Sequence, residues 1–228
     1  MDEDDAAASE ANDDGRSART VTGAGDASAT VRPYDPARDA AGLWALKRGF
    51  ETGLGEGTGD EAKADRYAGK LTPSYRERWL DWAARCVDED ADCLQVAVAR
   101  EPSGGADGAT GGAASDGAGT DGGGPGAGEG AGRAPDAGGE LVGYVFVLPE
   151  SLAFVWDAAV LNEVYVAPDW RGTGVADALM RAALACARAQ DLPLPRLVLD
   201  VDRENERARA FYDRFGFEHW GEMVARDL

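Results

Sequence analysis

The segment that most constrains this chain is LNEVYVAPDWRGTGVA, residues 161–176. It predicts an apolar strand, a Pro-Asp-Trp-Arg-Gly turn, and a helix in which apolar residues recur at helical spacing from Val175 to Cys186. Gly172 and Gly174 keep side chains out of the turn, so a ligand can approach the main chain closely. Because a helix N-terminus presents unpaired N–H groups and the positive end of the helix dipole, the segment indicates a site for a coenzyme with a pyrophosphate.

Two familiar phosphate-binding motifs fit this segment poorly. A Walker loop needs Gly-Lys-Ser/Thr, which the segment lacks, and a dinucleotide fingerprint needs a third glycine where Asp177 stands. A carboxylate at that point is badly placed for a phosphate. A nucleotide-binding domain for NAD or ATP is therefore the weaker interpretation of the glycine turn.

Composition divides the chain into one domain and two stretches with few apolar residues. The chain has 228 residues and a formal net charge of -19. Residues 1–28 are rich in Asp and Glu and predict a disordered acidic tail. Residues 101–139 consist mostly of Gly, Ala, Ser, Thr, Asp and Pro and predict a flexible insertion. Residues 29–228 without this insertion amount to roughly 160 residues, which suits a single domain.

The charge distribution and the cysteines exclude several function classes. Lysines are few among the 23 basic residues, and an acid-rich, lysine-poor surface suggests a halophilic source. No basic face is available to release counterions, so we expect no nucleic-acid partner. The absence of a signal peptide and of a long apolar run predicts a cytoplasmic protein without a membrane partner. Cys86, Cys93 and Cys186 lack metal or redox spacing, so we expect buried free thiols and no metal site.

Hydrophobic periodicity predicts an α/β chain in the order β-α-α-β-β-β-α-β-α-β. The order indicates a mixed sheet with helices on both faces, and the insertion lengthens the turn of the hairpin between the second and third strands. Strands that precede the glycine turn argue against a Rossmann domain. The predicted strands cover 30–34, 93–100, 141–148, 158–166, 196–201 and 217–228. The predicted helices run from Asp35-Pro36 to a break at 53–60, over about 74–87, from Val175 to before Pro193, and over 205–215.

Two motifs make the chain resemble the GNAT superfamily of acetyl-CoA-dependent N-acetyltransferases. VYVAPDWRGTGVADAL, residues 164–179, is similar to the family's acetyl-CoA signature, an Arg or Gln followed by x-x-Gly-x-Gly/Ala. LDVDRENERARAFYDRFGFE, residues 199–218, resembles the family's Asn-x-x-Ala-x-x-x-Tyr-x-x-x-Gly-Phe helix. The resemblance covers residues 30–228 apart from the insertion. The matching residues are Arg171, Gly174 and Ala176, followed by Asn205, Ala208, Tyr212, Gly216 and Phe217.

The resemblance implies a GNAT-like, mostly antiparallel sheet and acetyl-CoA as the co-substrate. Strands that end near Val166 and Val201 are expected to splay apart, so that pantetheine lies in the gap and the pyrophosphate lies on residues 171–176. The implied reaction transfers an acetyl group by direct attack to a primary amine of a protein N-terminus, a lysine or a small molecule. The residues implied to bind the cofactor are Val164, Tyr165, Val166, Arg171, Gly172, Thr173, Gly174, Val175, Ala176 and Asn205.

Acetyl transfer needs a base for the amine, stabilisation of an oxyanion and a proton for the departing thiolate. The resemblance implies that the Val166 N–H polarises the thioester carbonyl. Tyr212 is the candidate acid, because the reference pKa of tyrosine, about 10, is within roughly two units of that of a thiol. Asp200 and Glu163 are the candidate bases, although either can be a solvated surface acid and a water chain can also serve. Asn205 either orients the coenzyme or caps the helix.

Acidic residues suggest the charge of the acceptor. In the resembled family the acceptor usually docks over the first two helices and the hairpin near the end, where acids would attract a cationic amine. We therefore expect a cationic small molecule or peptide as the partner of a monomer or homodimer. A non-catalytic acetyl-CoA-binding sensor is the alternative, against which Tyr212 argues. The acids of these regions are Glu51, Glu56, Asp60, Glu61 and Glu222.

Overall fold

Within the part of the chain that the structure describes, six strands form one sheet in sequence order. The computed structural model describes residues 19–22, 28–56, 61–100, 139–221, 223–224 and 226. The strands are β1 (Arg19–Thr22), β2 (Ser28–Pro33), β3 (Leu94–Arg100), β4 (Leu141–Val147), β5 (Ala159–Val166) and β6 (Leu197–Val198). The helices are α1 (Pro36–Glu56), α2 (Glu61–Gly69), α3 (Pro73–Glu89), α4 (Glu150–Ala153), α5 (Val175–Ala189) and α6 (Glu206–Asp213), and a 3-10 turn spans Pro168–Trp170.

The sheet is mixed and mostly antiparallel, as the resemblance implied. The strands β1 to β5 pair antiparallel with their successive neighbours, and β6 runs parallel to β5. The predicted insertion connects β3 and β4, which lie side by side as the two strands of a hairpin. Of that insertion, residues 101–138 lie outside the described residues.

Helices cover both faces of the sheet, which confirms the predicted layering. Successive side chains of a strand point to opposite faces, and β4 shows this at two residues that are three positions apart. Phe146 faces α3, where its ring centroid lies 5.0 Å from that of Trp82. Gly143 faces α5, because a Cβ built on it would lie 3.1 Å from Leu179 Cδ1. The central strand β4 is therefore buried on both sides, from Val142 to Val147.

Most predicted elements are present, and the three cysteines are buried free thiols as expected. The second predicted helix is α3, whose Trp79 belongs to the core while Trp82 packs against it. The strand predicted over 196–201 is much shorter, since β6 contains only Leu197–Val198. No helix within the described residues has the length and apolar character needed to span a bilayer.

The N-terminal boundary of the domain was predicted too late in the sequence. Arg19–Thr22, assigned to the disordered tail, forms β1 and pairs with β2 in the register Arg19 to Val31. Main-chain hydrogen bonds hold an edge strand without requiring large apolar side chains, so the composition of this segment was a poor guide. Residues 1–18 and 23–27 of the predicted tail lie outside the described residues.

Two further predictions about element boundaries were wrong. The first helix does not break at Gly53 but continues to Glu56, because the cost of about 1 kcal/mol for a helical glycine can be offset by tertiary packing. The predicted final strand is not formed by the described residues 217–221, 223–224 and 226. There Trp220 instead stacks over the Arg196 guanidinium at 3.7 Å, and the two-residue β6 offers little edge for pairing. The short helices α2 and α4 were not predicted.

Gly143 is packed too closely to accept a side chain. A Cβ on this residue would lie 2.9 Å from the Tyr165 carbonyl oxygen and 3.1 Å from Leu179 Cδ1. We expect Gly143→Ala to lower the free energy of unfolding by about 1–3 kcal/mol, because its neighbours must move. Gly53→Ala is the matched control: its Cβ meets nothing within 4 Å, and it should raise the free energy of unfolding by up to about 1 kcal/mol. Urea unfolding measures both, and wild-type stability of Gly143→Ala would contradict this packing.

Candidate active site

The strands β5 and β6 separate after two residue pairs. They pair at Ala159 with Leu197 and at Val160 with Val198, whereas β5 continues to Val166. Among the described residues no strand pairs with the outer edge of β5 beyond Val160, which leaves an opening along this edge. This is the splay that the resemblance implied.

The backbone N–H of Val166 points toward this opening. Val166 pairs with Gly143 of β4, and at the next position the Ala167 N–H donates to the Val142 carbonyl oxygen at 2.9 Å. Hydrogen-bonded and non-hydrogen-bonded pairs alternate in an antiparallel ladder. The main-chain groups of Val166 consequently point away from β4, and those of Val164, two residues earlier, do the same.

The glycine turn after β5 adopts backbone angles that favour glycine. Gly172 has φ 82° and Gly174 has φ 88°, both in the left-handed region. The Thr173 hydroxyl donates back to the Trp170 carbonyl oxygen at 2.7 Å, which closes the turn on the 3-10 segment. The chain can therefore reverse direction between the end of β5 and the start of α5 at Val175.

The start of α5 leaves main-chain donors free. Gly174 is its N-cap and provides no side-chain acceptor, and the Ala178 N–H makes the bond to the Gly174 carbonyl oxygen at 3.1 Å. The N–H groups of Val175, Ala176 and Asp177 thus have no intrahelical acceptor. The Asp177 carboxylate, which the sequence placed badly for a phosphate, is paired with Arg214, the C-cap of α6, at 2.8 Å. Its charge is therefore partly offset.

Two guanidinium groups lie near this turn. The Arg171 Nε donates to the Val166 carbonyl oxygen at 3.1 Å, and its guanidinium carbon is 5.8 Å from the centre of the Tyr165 ring. Partial burial, together with repulsion from Arg171, lowers the pKa of Arg207 in the first turn of α6. Neither arginine has an acidic partner among the described residues. Two unpaired cations beside free N–H groups favour an anionic ligand.

Tyr212 lies on α6 with its ring packed and its hydroxyl unengaged. The ring meets Phe217 at 5.6 Å and Phe211 at 5.5 Å between centroids, both edge-on. Burial raises the pKa of Tyr212 to about 12. Its hydroxyl makes no hydrogen bond to any residue in the described ranges, so it is available to a ligand as a neutral donor.

The other polar residues of the second motif have different surroundings. Asn205 caps α6, because its side-chain oxygen accepts from the Ala208 N–H at 3.0 Å. Of the two roles left open by the sequence, the structure shows capping. Asp200 is exposed just after β6 and is not brought together with Glu163 by any hydrogen bond or ion pair of the described residues.

Glu163 is buried inside a charged network instead of facing solvent. Its side chain is 7% exposed. Lys47 of α1 forms an ion pair with its Oε1, and the Tyr144 hydroxyl donates to its Oε2 at 2.6 Å. Burial raises the pKa of the Glu163 carboxyl, against the opposing influence of Lys47 and Tyr144. Both oxygens are engaged, so the carboxylate must give up one of these partners to accept a proton from a substrate.

Lys47 is the centre of that network. Besides Glu163 it binds Glu51 of the same helix, with 2.6 Å between Nζ and Oε1. Its Nζ also lies 5.0 Å from the ring centres of Phe50 and Trp79, within cation–π range. Lys70 completes the network through the other Glu51 oxygen, Oε2, at 2.7 Å. The sequence analysis missed Lys47, although a lysine inside the apolar run LWALKRGF with a glutamate four residues later was a usable signal.

The model of the acetyltransferase (GNAT) family matches residues 132–217. This segment contains β4, β5, the glycine turn, α5 and α6, and therefore all the elements around the opening. Residues 132–217 are thus similar to the GNAT acetyltransferases. The helices α1, α2 and α3 precede the matched segment.

Part of the chain is also similar to curated proteins. An uncharacterized N-acetyltransferase of Mycobacterium tuberculosis is 37% identical over 89 residues, which are 39% of this chain and 53% of the relative. A 5-NmdU N-acetyltransferase of Pseudomonas phage PaMx11 is 36% identical over 86 residues, 38% of this chain and 56% of that protein. The chain thus spans about half the length of these curated relatives.

Solved structures show the same fold. The paia N-acetyltransferase from Thermoplasma acidophilum, solved in complex with coenzyme A, superposes with a TM-score of 0.52 at 15% identity. The superposition covers 83% of this chain and 89% of that chain. At this identity the likeness establishes the GNAT fold of the sheet and helices.

Lys47→Met removes the cation between two buried carboxylates. We expect it to lower the free energy of unfolding by about 3–5 kcal/mol, because Glu51 and Glu163 remain buried with less compensation. Lys70→Met is the matched control: Lys70 binds the same Glu51, but its side chain is 39% exposed, so the loss should not exceed about 1 kcal/mol. Urea unfolding at neutral pH compares the two, and equal losses would contradict the central position of Lys47.

Proposed function

We propose that this protein is a GNAT acetyltransferase and transfers an acetyl group from acetyl-CoA to a primary amine. The observation that carries the proposal is the opening between β5 and β6, which has an unpaired Val166 N–H on one side and the free start of α5 at its end. Acetyl-CoA supplies a thioester whose C–S bond breaks as the amine nitrogen forms the new C–N bond. The names of the curated relatives, both N-acetyltransferases, support the same reaction class.

The chemistry of the glycine turn suits the phosphate groups of coenzyme A. The N–H groups of Val175 and Ala176 point out of the helix start, where the dipole favours an anion. Arg171 and Arg207 supply two positive charges without acidic partners among the described residues. In this proposal they hold the diphosphate, while Val164, Tyr165 and Val166 border the pantetheine. Gly172, Thr173 and Gly174 allow the close approach of the main chain.

The proposed roles at the reacting atoms follow from the protonation states. The Val166 N–H donates to the carbonyl oxygen on which negative charge develops. The pKa of Tyr212 is raised to about 12, so its hydroxyl stays protonated at neutral pH. This pKa is well above that of a thiol, about 8.5. We therefore assign Tyr212 a hydrogen bond to the departing sulfur, whose proton finally comes from solvent. The amine proton leaves to Asp200, to Glu163 or to a chain of water molecules.

Acetyl-CoA binding and turnover test this proposal separately. Calorimetry with acetyl-CoA, with NAD as competitor, measures the cofactor site, and release of free thiol against a panel of amines measures transfer. The cytoplasmic setting and halophilic source remain predictions from composition, so both assays are run at low salt and in molar KCl. Binding without turnover on any amine would favour the acetyl-CoA sensor. No binding, or displacement by NAD, would contradict the acetyltransferase.

Tyr212→Phe removes the proposed donor while keeping the packed ring. We expect kcat to fall by about 100-fold with little change in acetyl-CoA affinity, because the hydrogen bond forms only as the sulfur departs. The half-buried Tyr67 of α2 provides the matched control, and Tyr67→Phe should keep wild-type kcat. Steady-state thiol release gives kcat and calorimetry gives the affinity. Unchanged turnover in Tyr212→Phe would remove this residue from the reaction.

Arg207→Gln removes one of the two unpaired charges near the glycine turn. We expect acetyl-CoA to bind about tenfold more weakly, because a charge-assisted hydrogen bond to a phosphate is lost. Arg209→Gln is the control on the same helix, since Arg209 donates to the Arg203 carbonyl oxygen at 3.2 Å. Calorimetry compares the two variants at low salt. An equal affinity for both would place the diphosphate away from Arg207.

A further inference from the structure

A cavity of about 700 Å³ lies between α1 and the segment that leads from α2 into α3. Its volume falls within the range of small-molecule sites, about 300–1,000 Å³. Trp44 and Gly49 line it from α1, and Leu71 and Pro73 line it from the α2–α3 segment. The Trp44 ring is held by two neighbouring aromatic rings, Tyr75 at 6.1 Å and Trp79 at 6.4 Å. The cavity therefore has a rigid aromatic wall.

The charged groups of this cavity are cationic. Its described lining contains Arg48 from α1 and Arg76 from α3 and no acidic side chain. Neither guanidinium makes an ion pair or hydrogen bond to a described residue. The lining also contains two hydroxyls, but Thr52 donates to the Arg48 carbonyl oxygen at 3.1 Å and Thr72 caps α3. The two unpaired guanidinium groups suit a carboxylate or a phosphate.

This charge is opposite to the one expected from the sequence. The acids near the first two helices predicted attraction of a cationic amine, but Glu51 is 1% exposed and neutralised by Lys47 and Lys70. Of the other four acids of that argument, Asp60 and Glu222 lie outside the described residues, and the side chains of Glu56 and Glu61 are not described. The described surface of the cavity therefore selects for negative charge.

Tyr165 connects this cavity with the proposed acetyl-CoA site. Gly49 lines the cavity, and its Cα is so close to the Tyr165 hydroxyl that a Cβ there would collide with it. The guanidinium carbon of Arg171, from the glycine turn, lies 5.8 Å from the centre of the same ring. One side chain thus separates the cavity wall from the cofactor turn.

We infer that the cavity binds the acceptor and that the acceptor carries an oxyanion, a carboxylate or a phosphate, in addition to its amine. The inference rests on the proposed function. Arg48 and Arg76 bind the oxyanion, the Trp44 ring covers the body of the molecule, and the amine lies on the Tyr165 side. The site therefore takes amino acids or amino phosphates in preference to polyamines.

Matched pairs of amines test the inference with the 228-residue chain. The pairs are phenylalanine with phenylethylamine and phosphoethanolamine with ethanolamine, and they separate a carboxylate from a phosphate. Spermidine and kanamycin represent purely cationic acceptors. In at least one pair, we expect the member that carries a carboxylate or phosphate to have a kcat/KM about tenfold or more above that of its partner. The pair that shows this difference identifies the source of the oxyanion.

Substitutions assign the preference to the two arginines. The double variant Arg48→Gln, Arg76→Gln should reduce the preference for the amine that carries an oxyanion by about tenfold. We expect the change to lie in the KM of that amine. The acetyl-CoA affinity, measured by calorimetry, should stay unchanged. Arg85→Gln is the control: Arg85 is exposed on α3 outside the cavity, and the preference should persist.

The outcomes separate this inference from the proposed function. Preferred turnover of the amines without an oxyanion, or a preference that the double variant retains, would overturn the acceptor class and leave acetyl transfer in place. Turnover of no amine at all, with acetyl-CoA bound in the same sample, would overturn both in favour of the acetyl-CoA sensor. Absence of acetyl-CoA binding would overturn the proposed function and the acceptor class with it.

Discussion

The separation of β5 from β6 is the constraint on which the rest of this site depends. A strand that loses its neighbour exposes main-chain N–H and C=O groups that need other partners. The Val166 carbonyl finds one in Arg171 Nε at 3.1 Å, and the Val166 N–H remains free for a ligand. Because Arg171 belongs to the glycine turn, the same hydrogen bond ties the strand end to the start of α5. Strand edge and helix start thereby form one continuous surface.

A buried ion pair sets the position of α1 relative to this surface. Hydrophobic contacts are non-directional, so they leave the rotation of a helix on a sheet weakly defined. Lys47 lies between Glu51 and Glu163, and it is separated from Glu163 by 116 positions in the sequence. A buried cation has few acceptable arrangements, because each one must satisfy its carboxylate partners. The network therefore holds α1 in one register against β5, and with it the residues that α1 presents to the cavity.

The glycine turn, the start of α5 and α6 could be predicted from the sequence because their geometry is local. The glycine turn and the α6 motif are each contiguous, so residue type and spacing carry the backbone shape. The cavity lining could not be predicted in this way, because Arg48 and Arg76 come to the same cavity only when α1 and α3 pack. Glu51 was counted as an attractive surface acid, and nothing in its local sequence shows that two lysines cover it. Charge near a site is informative only after the pairs are known.

Gly49 determines how closely α1 approaches β5. A Cβ at this position would collide with the end of the Tyr165 side chain, so either that ring or the helix would have to move. Arg48 and Thr52 lie on the same helix and would move with it, whereas a shift of the Tyr165 ring would change the side that Arg171 contacts. A single added methyl group would thus change either the width of the cavity or the wall between the cavity and the glycine turn. In this architecture the spacing between one helix and one aromatic ring can reshape the space offered to the acceptor.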